Sequence, residues 1–163
     1  MHKWEDHADD DEDRLPATRH RRERAALGAL SALYRDADAT FAPWSCPASG
    51  DCCQLGTTGL QPWLWPVEWL RVQRALATAG RSLPGPRRDG GCPLLDSQGR
   101  RCTIYADRPL GCRTYFCGRV RGPADQPYEE MDALQRRLEQ VSRELDGADA
   151  SPQPLLTWVE REG

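Results

Sequence analysis

Apolar residues recur at helical spacing in three places along this chain, and between those places Pro, Gly and Cys break every regular pattern. From Ala17 to about Ala37, Ala26, Leu27, Leu30, Leu33 and Tyr34 form one apolar stripe and predict a helix. A second helix is predicted after QPWLW, where Pro66 suits a first helical position. There Leu70, Gln73, Leu76 and Ala77 continue the turn pattern, and Gly80 suits a left-handed cap. The clearest helix spans residues 128–146, with Met131, Leu134, Leu138, Val141 and Leu145 alternating three and four apart and Gly147 closing it. Its apolar seam is shorter than the three or four heptads of a typical coiled coil, so docking on the domain is expected rather than a dimer seam. Strand propensity is confined to Thr103, Ile104 and Tyr105 and to one short stretch, Leu155 to Val159. The pattern predicts a small α-rich α+β domain: about three main helices, few short strands, and irregular cysteine-rich loops.

Composition supports one domain with tails. Residues 1–15 carry seven acidic side chains and little to bury, and read as an acidic disordered tail. Residues 16–147 read as a single helical domain and residues 148–163 as a C-terminal extension with one short strand. The apolar share is 39%, with 13 Pro and 14 Gly, so a metal or crosslink would help the chain fold. A net charge of −3 gives no global field toward nucleic acid or an acidic membrane. No apolar run approaches the roughly 20 residues that cross a bilayer, and the acidic start is unlike a secretory signal. A cytoplasmic protein is expected. His2, His7 and His20 read as solvated residues with no ligand partner at metal spacing, and Arg19, Arg21, Arg22 and Arg24 as a solvated basic face.

The candidate chemistry lies in seven cysteines. Cys46, Cys52 and Cys53 form one group, and Cys92, Cys102, Cys112 and Cys117 another. In a reducing compartment, thiols clustered at short spacing in turn-rich loops point to metal ligation, and an odd count argues against complete disulfide pairing. Zinc or an iron-sulfur cluster would suit soft, anionic thiolates. Seven thiols exceed one four-ligand site, and adjacent Cys52 and Cys53 would point apart from an extended backbone and so serve different centres. Arg100, Arg101, Arg108, Arg113, Arg119 and Arg121 lie where they could offset thiolate charge. Arg108 and Arg113, beside Pro109 and Gly111, are the best placed to support the ligands from behind. Trp63, Trp65 and Trp69 are expected to pack over the thiolates and exclude water. The chain has no Gly-rich phosphate loop, dinucleotide fingerprint, paired-His protease motif or radical-SAM spacing.

The front motif CPASGDCC and the runs CPLL, CTIY, RPLGCR and YFC resemble the YkgJ-type cysteine-cluster family, a candidate zinc- or iron-chelating domain related to flagellin lysine N-methylase. The family's front pattern is Cys-x-x-Cys-x-x-Cys-Cys. Cys46, Cys52 and Cys53 match it, while Ser49 stands where its second cysteine would be. Cys92, Cys102, Arg108, Pro109, Cys112, Arg113 and Cys117 match the second half, and the resemblance spans about residues 44–119. It implies a metal-binding domain with all seven cysteines as ligands. Two alternatives stay open: an iron-sulfur-dependent enzyme that modifies a protein or peptide, with an open metal site beside Arg113 and Tyr115, or a zinc-stabilised module that grips a protein partner.

Overall fold

The computed structural model describes residues 14–46, 49–115, 120–123 and 125–162. Among these it contains six helices and a two-stranded sheet. Helix α1 spans Arg14–Phe41, α2 Leu55–Thr58, α3 Pro66–Thr78, α4 Leu110–Arg113, α5 Tyr128–Asp146 and α6 Leu155–Glu162. Strand β1, Trp63–Leu64, pairs antiparallel with β2, Gln153–Pro154, with Trp63 opposite Pro154. No helix among the described residues is long and apolar enough to cross a membrane.

Two of the three expected long helices have the expected bounds, and the first is longer. It begins at Arg14 rather than Ala17, because a proline is tolerated in a first turn and Pro16 falls there. Its far end runs on to Phe41, which joins Ala26, Leu30, Leu33, Tyr34 and Ala37 in burial. A fourth helix of two turns replaces the strand expected at Leu155 to Val159. Leu155, Trp158 and Val159 lie three and four apart, so a helix buries all three on one face where a strand would split them between two. Only Gln153 and Pro154, just before it, pair in the sheet. At Thr103 to Tyr105 the β-prone residues also form no strand. One bridge joins Leu95 and Cys102, and a 3₁₀ turn follows over Tyr105–Asp107.

The core is divided into two clusters. In one, α1 and α5 pack through Leu30, Leu33, Leu134 and Leu138, joined by Val67 and Leu110. In the other, α3 and α6 pack over the second cysteine loop through Leu64, Trp69, Val72, Leu94, Ile104 and Trp158. Trp69 and Trp158 stack at 5.8 Å, and the Trp69 indole N–H donates to Glu162 Oε2 at 2.8 Å. Helix α3 therefore gives Val67 to one cluster and Trp69, Val72 and Leu76 to the other.

A single carboxylate fastens the first turn of α3 to its neighbours. Glu68 is 1% exposed. Its Oε1 accepts the Tyr34 hydroxyl of α1 at 3.0 Å and the Leu110 N–H of α4 at 2.7 Å. Its Oε2 accepts the Trp65 N–H at 3.1 Å, one half of a capping box. Burial pushes its pKa up to about 6, while the three hydrogen bonds hold it from rising further.

Two predictions follow from this packing. The folded state keeps the Glu68 proton to a higher pH than the unfolded chain does. Its contribution to stability is therefore fully present below about pH 4.5 and falls by on the order of 2 kcal/mol as pH rises through 6. Glu68→Gln should flatten that slope in urea denaturation between pH 4.5 and 7, and should cost about 1–3 kcal/mol because its amide donor would face an N–H. An unchanged slope in the variant would assign it to another group. Ser142, fully buried on the Leu134–Leu138 row of α5, has an Oγ with no hydrogen-bond partner. Ser142→Ala removes that hydroxyl and improves helix propensity, so thermal denaturation should show a gain of about 1 kcal/mol.

Candidate metal centre

The two cysteine groups meet because two loops are stitched together by their backbones. Gly50 adopts φ +76°, and a Cβ there would lie 2.6 Å from the Arg100 carbonyl oxygen, so only glycine lets the first loop approach the second this closely. Asp51–Cys53 then forms a 3₁₀ turn. The Cys92 N–H donates to the Cys53 carbonyl at 2.7 Å, and the Gly56 N–H to the Gly90 carbonyl at 2.8 Å. The Gln54 side-chain amide donates to the Gly99 carbonyl at 3.1 Å. Within the second loop, the Leu95–Cys102 bridge closes a turn in which the Asp96 N–H donates to the Arg101 carbonyl. The loop is anchored by Cys92, Leu94 and Ile104, all buried in the α3–α6 cluster, with Cys53 and Cys102 packed against it.

Cys112 arrives from the other cluster. It sits on α4, one turn of helix whose Leu110 is buried against α1 and whose first N–H is held by Glu68. Arg113, next in sequence, is almost enclosed, with 3% of its side chain exposed. It donates to Asp38 of α1 at 2.7 Å, to the carbonyl of Arg108 at 2.9 Å and to that of Ala106, and lies 4.1 Å over the Tyr34 ring. These contacts set the position of α4. Arg108 covers the Tyr105 ring at 4.1 Å, and its positive charge favours the Cys102 thiolate. Of the two expected supporting arginines, Arg108 acts electrostatically on a thiol and Arg113 acts mechanically on the helix that carries one.

Five thiols feel each other's charge. Burial is the largest cause pushing Cys92 up to about 11, with Cys102 and Cys52 adding to the rise. Burial likewise raises Cys102, with a further rise from Cys52. Cys112 is pushed up first by burial, then by Cys92, Cys102, Glu68 and Cys52. Its surface reaches solvent, yet the protein packed around it still disfavours the thiolate. Cys52 and Cys53 behave as a pair, their sulfurs 4.0 Å apart. A hydrogen bond between the two sulfurs lowers one member of the pair, Cys52 to about 6, and raises the other, Cys53. The pair therefore shares its proton and gives up the first one more readily than an isolated thiol would. The expectation that these two neighbours serve different centres rested on an extended backbone, and the 3₁₀ turn instead brings their sulfurs together.

The donor set fits a thiophilic metal. Two thiolates on one tetrahedral ion, with metal–sulfur bonds of about 2.3 Å, stand roughly 3.8 Å apart, close to the Cys52–Cys53 separation. Among the described residues no three side chains already stand at coordinating geometry. Cys46 lies exposed at the start of the first loop, directly after Ser45, which pairs with Arg121 through hydrogen bonds of 2.6 and 3.0 Å. Cys117 and Arg119 lie outside the described residues, as do His2 and His7. Of the tryptophans expected over the thiolates, Trp69 shares the apolar cluster of Cys92, Trp65 packs in the α1–α5 cluster, and Trp63 is 59% exposed. Glu68 and Asp38 escaped sequence reasoning. Glu68 had a local signal, an acid at the third helical position after Pro66, but its bonds to Tyr34 and Leu110 span 34 and 42 residues.

The family model CxxCxxCC, described as "Putative zinc- or iron-chelating domain", matches residues 45–136. That span contains all seven cysteines, begins after α1 and reaches into α5. No curated protein and no solved structure gives a significant match.

Gly50→Ala tests the stitch between the loops. A side chain that meets the Arg100 carbonyl from a left-handed backbone should cost about 2–4 kcal/mol in urea denaturation, whereas Gly80→Ala, with open space around it, should cost only its backbone strain of about 1 kcal/mol.

Proposed function

The chain belongs to the YkgJ-type cysteine-cluster family, and on that premise we propose that it is a thiolate metal-binding protein whose centre is built by Cys52, Cys53, Cys92, Cys102 and Cys112, completed by Cys46 and Cys117. The observation that carries this reading is the 4.0 Å approach of the Cys52 and Cys53 sulfurs on a loop whose Cys53 carbonyl accepts the Cys92 N–H at 2.7 Å, which brings the two cysteine groups side by side. Thiols held this way repel each other as thiolates, and a bound cation is what makes their joint deprotonation favourable. Cys52, exposed and paired with Cys53 in a hydrogen bond that favours one thiolate, would be the ligand an incoming metal meets first. The buried thiols would release their protons to solvent as they ligate the metal.

Zinc is the leading occupant. The 4.0 Å between Cys52 and Cys53 supports two thiolates on one metal atom, whereas a four-iron cluster takes one thiolate per iron. The metal would supply cohesion between the two core clusters, since its ligands come from both. Thiols gathered for metal ligation rather than for disulfides suit a reducing compartment, which supports a cytoplasmic location.

Anaerobic purification with an absorption spectrum and total metal analysis tests this reading. Colourless protein with stoichiometric zinc is expected, and brown protein with iron and sulfide would replace zinc by an iron-sulfur centre. Cys92→Ser and Cys112→Ser should each lose metal and unfold at lower temperature, and full metal content in both would overturn the reading. Metal affinity should also fall steeply below neutral pH, because protons compete for every thiolate.

A further inference from the structure

Helix α3 and the turn that follows Cys102 border a cleft of about 480 Å³, a volume within the range of small-molecule sites. Arg71, Arg74, Ala75, Thr78 and Ala79 of the α3 end line one side, and residues 103–107 line the other. Space is left there because Ala75, Ala79 and Ala106 have short side chains. The two arginines are three positions apart and so share a face of the helix. Arg71 is fixed, its Nε donating to Asp107 Oδ1 at 2.7 Å and its Nη1 to Ser31 Oγ at 3.1 Å. Arg74 reaches Glu23 through Nη2 at 3.3 Å. Among the described residues, Arg71 Nη2 and Arg74 Nε and Nη1 donate no hydrogen bond. The threonines are complementary to these donors. Thr78 and Thr103 donate their hydroxyl protons to the carbonyls of Arg74 and Leu94, at 2.8 and 2.9 Å, so each oxygen is left as an acceptor. Tyr105, whose ring Arg108 covers at 4.1 Å, adds an aromatic surface that is 47% exposed.

We propose that this cleft binds a small monocarboxylate with an apolar body and an amide N–H, the chemistry shared by an N-acylated amino acid and a peptide C-terminus. The carboxylate would take the unused N–H groups of Arg71 and Arg74, since guanidinium groups bond carboxylates in charge-assisted pairs. The amide N–H would meet a threonine oxygen, and the apolar body would lie on the alanines and Tyr105. Charge sets the class of anion. Two guanidinium groups and the Asp107 carboxylate line the cleft, a net of +1 from two minus one, which matches a monoanion. Asp107 and Glu23, each paired with one of the arginines, set two carboxylates against a phosphate dianion. The inference goes beyond metal binding, because it uses neither a thiol nor a metal.

Titration of the ¹⁵N-labelled full chain with N-acetylphenylalanine, followed by amide chemical shifts, tests this. Saturable shifts over residues 71–79 and 103–107 are expected, with a Kd of about 1 mM or below. N-Acetylphenylalanine amide, which lacks the charge, should bind about tenfold or more weakly, as should the natural probe to Arg74→Gln. Thr78→Phe, which fills the cleft from an exposed position, should abolish binding. Circular dichroism should stay unchanged in both variants. The tetrapeptide GGGF separates the two sources: tighter binding than the acetylated amino acid assigns the cleft to a peptide end, and equal or weaker binding assigns it to a free small molecule. Absence of saturable shifts up to about 20 mM probe would overturn the proposal. So would equal binding of the neutral amide, full affinity in Arg74→Gln or Thr78→Phe, or tighter binding of inorganic phosphate. Shifts confined to residues 52–53 and 92–102 would place the carboxylate on the cysteine centre and overturn it as well.

Discussion

Everything near the cysteines depends on a buried carboxylate that no charge neutralises directly. Glu68 takes one hydrogen bond from each of three segments: the hydroxyl of Tyr34, the N–H that opens α4, and the N–H that opens α3. Each bond offsets part of the desolvation that burial imposes, and removing any donor would leave that cost exposed. The three segments can therefore occupy their positions only together. Arg113 adds a second constraint on the same turn, reaching from α4 to Asp38 and to the carbonyls of Arg108 and Ala106. Cys112 sits between these two fixed points, at Leu110 and Arg113.

The same arrangement sets the cysteines at a seam. Cys53, Cys92 and Cys102 belong with the α3–α6 cluster, while Cys112 rides on a turn packed against α1. Neither cluster contains a full set of ligands. A metal at the seam would join two packed units that otherwise share α3 and the Glu68 bonds, and its loss would be felt as reduced cohesion rather than as local disorder alone. Glu68 also raises the Cys112 thiol, so the group that positions this ligand makes it harder to ionise without a cation. Positioning and electrostatics are coupled through one side chain.

Helices could be read from the chain wherever a local stripe decided the matter. Leu134 and Leu138 mark the buried side of α5 by spacing alone, and Pro66 marks the start of α3. The C-terminal stretch was misleading because Leu155, Leu156, Val159 and their neighbours suit both a strand and a helix. Only the place available for Trp158 against Trp69 decided between them. Thr103 to Tyr105 failed for a related reason: the loop turns too soon after the Leu95–Cys102 bridge for a second pair of residues to form.

What the sequence determined by itself was the set of candidate ligands and the family: thiols in two groups, arginines around them, and the cysteine-cluster motifs, because residue type and short-range spacing carry that information. It also determined the three long helices, whose patterns close within a few turns. The tertiary structure decided that the Cys52 and Cys53 sulfurs stand 4.0 Å apart, that the Cys53 and Cys92 backbones join, and that Arg113 pairs with Asp38. Those outcomes rest on contacts such as Gly50 against Arg100 and Glu68 against Leu110, between residues 50 and 42 positions apart. No local pattern encodes such contacts, because they exist only once both partners are held by everything between them.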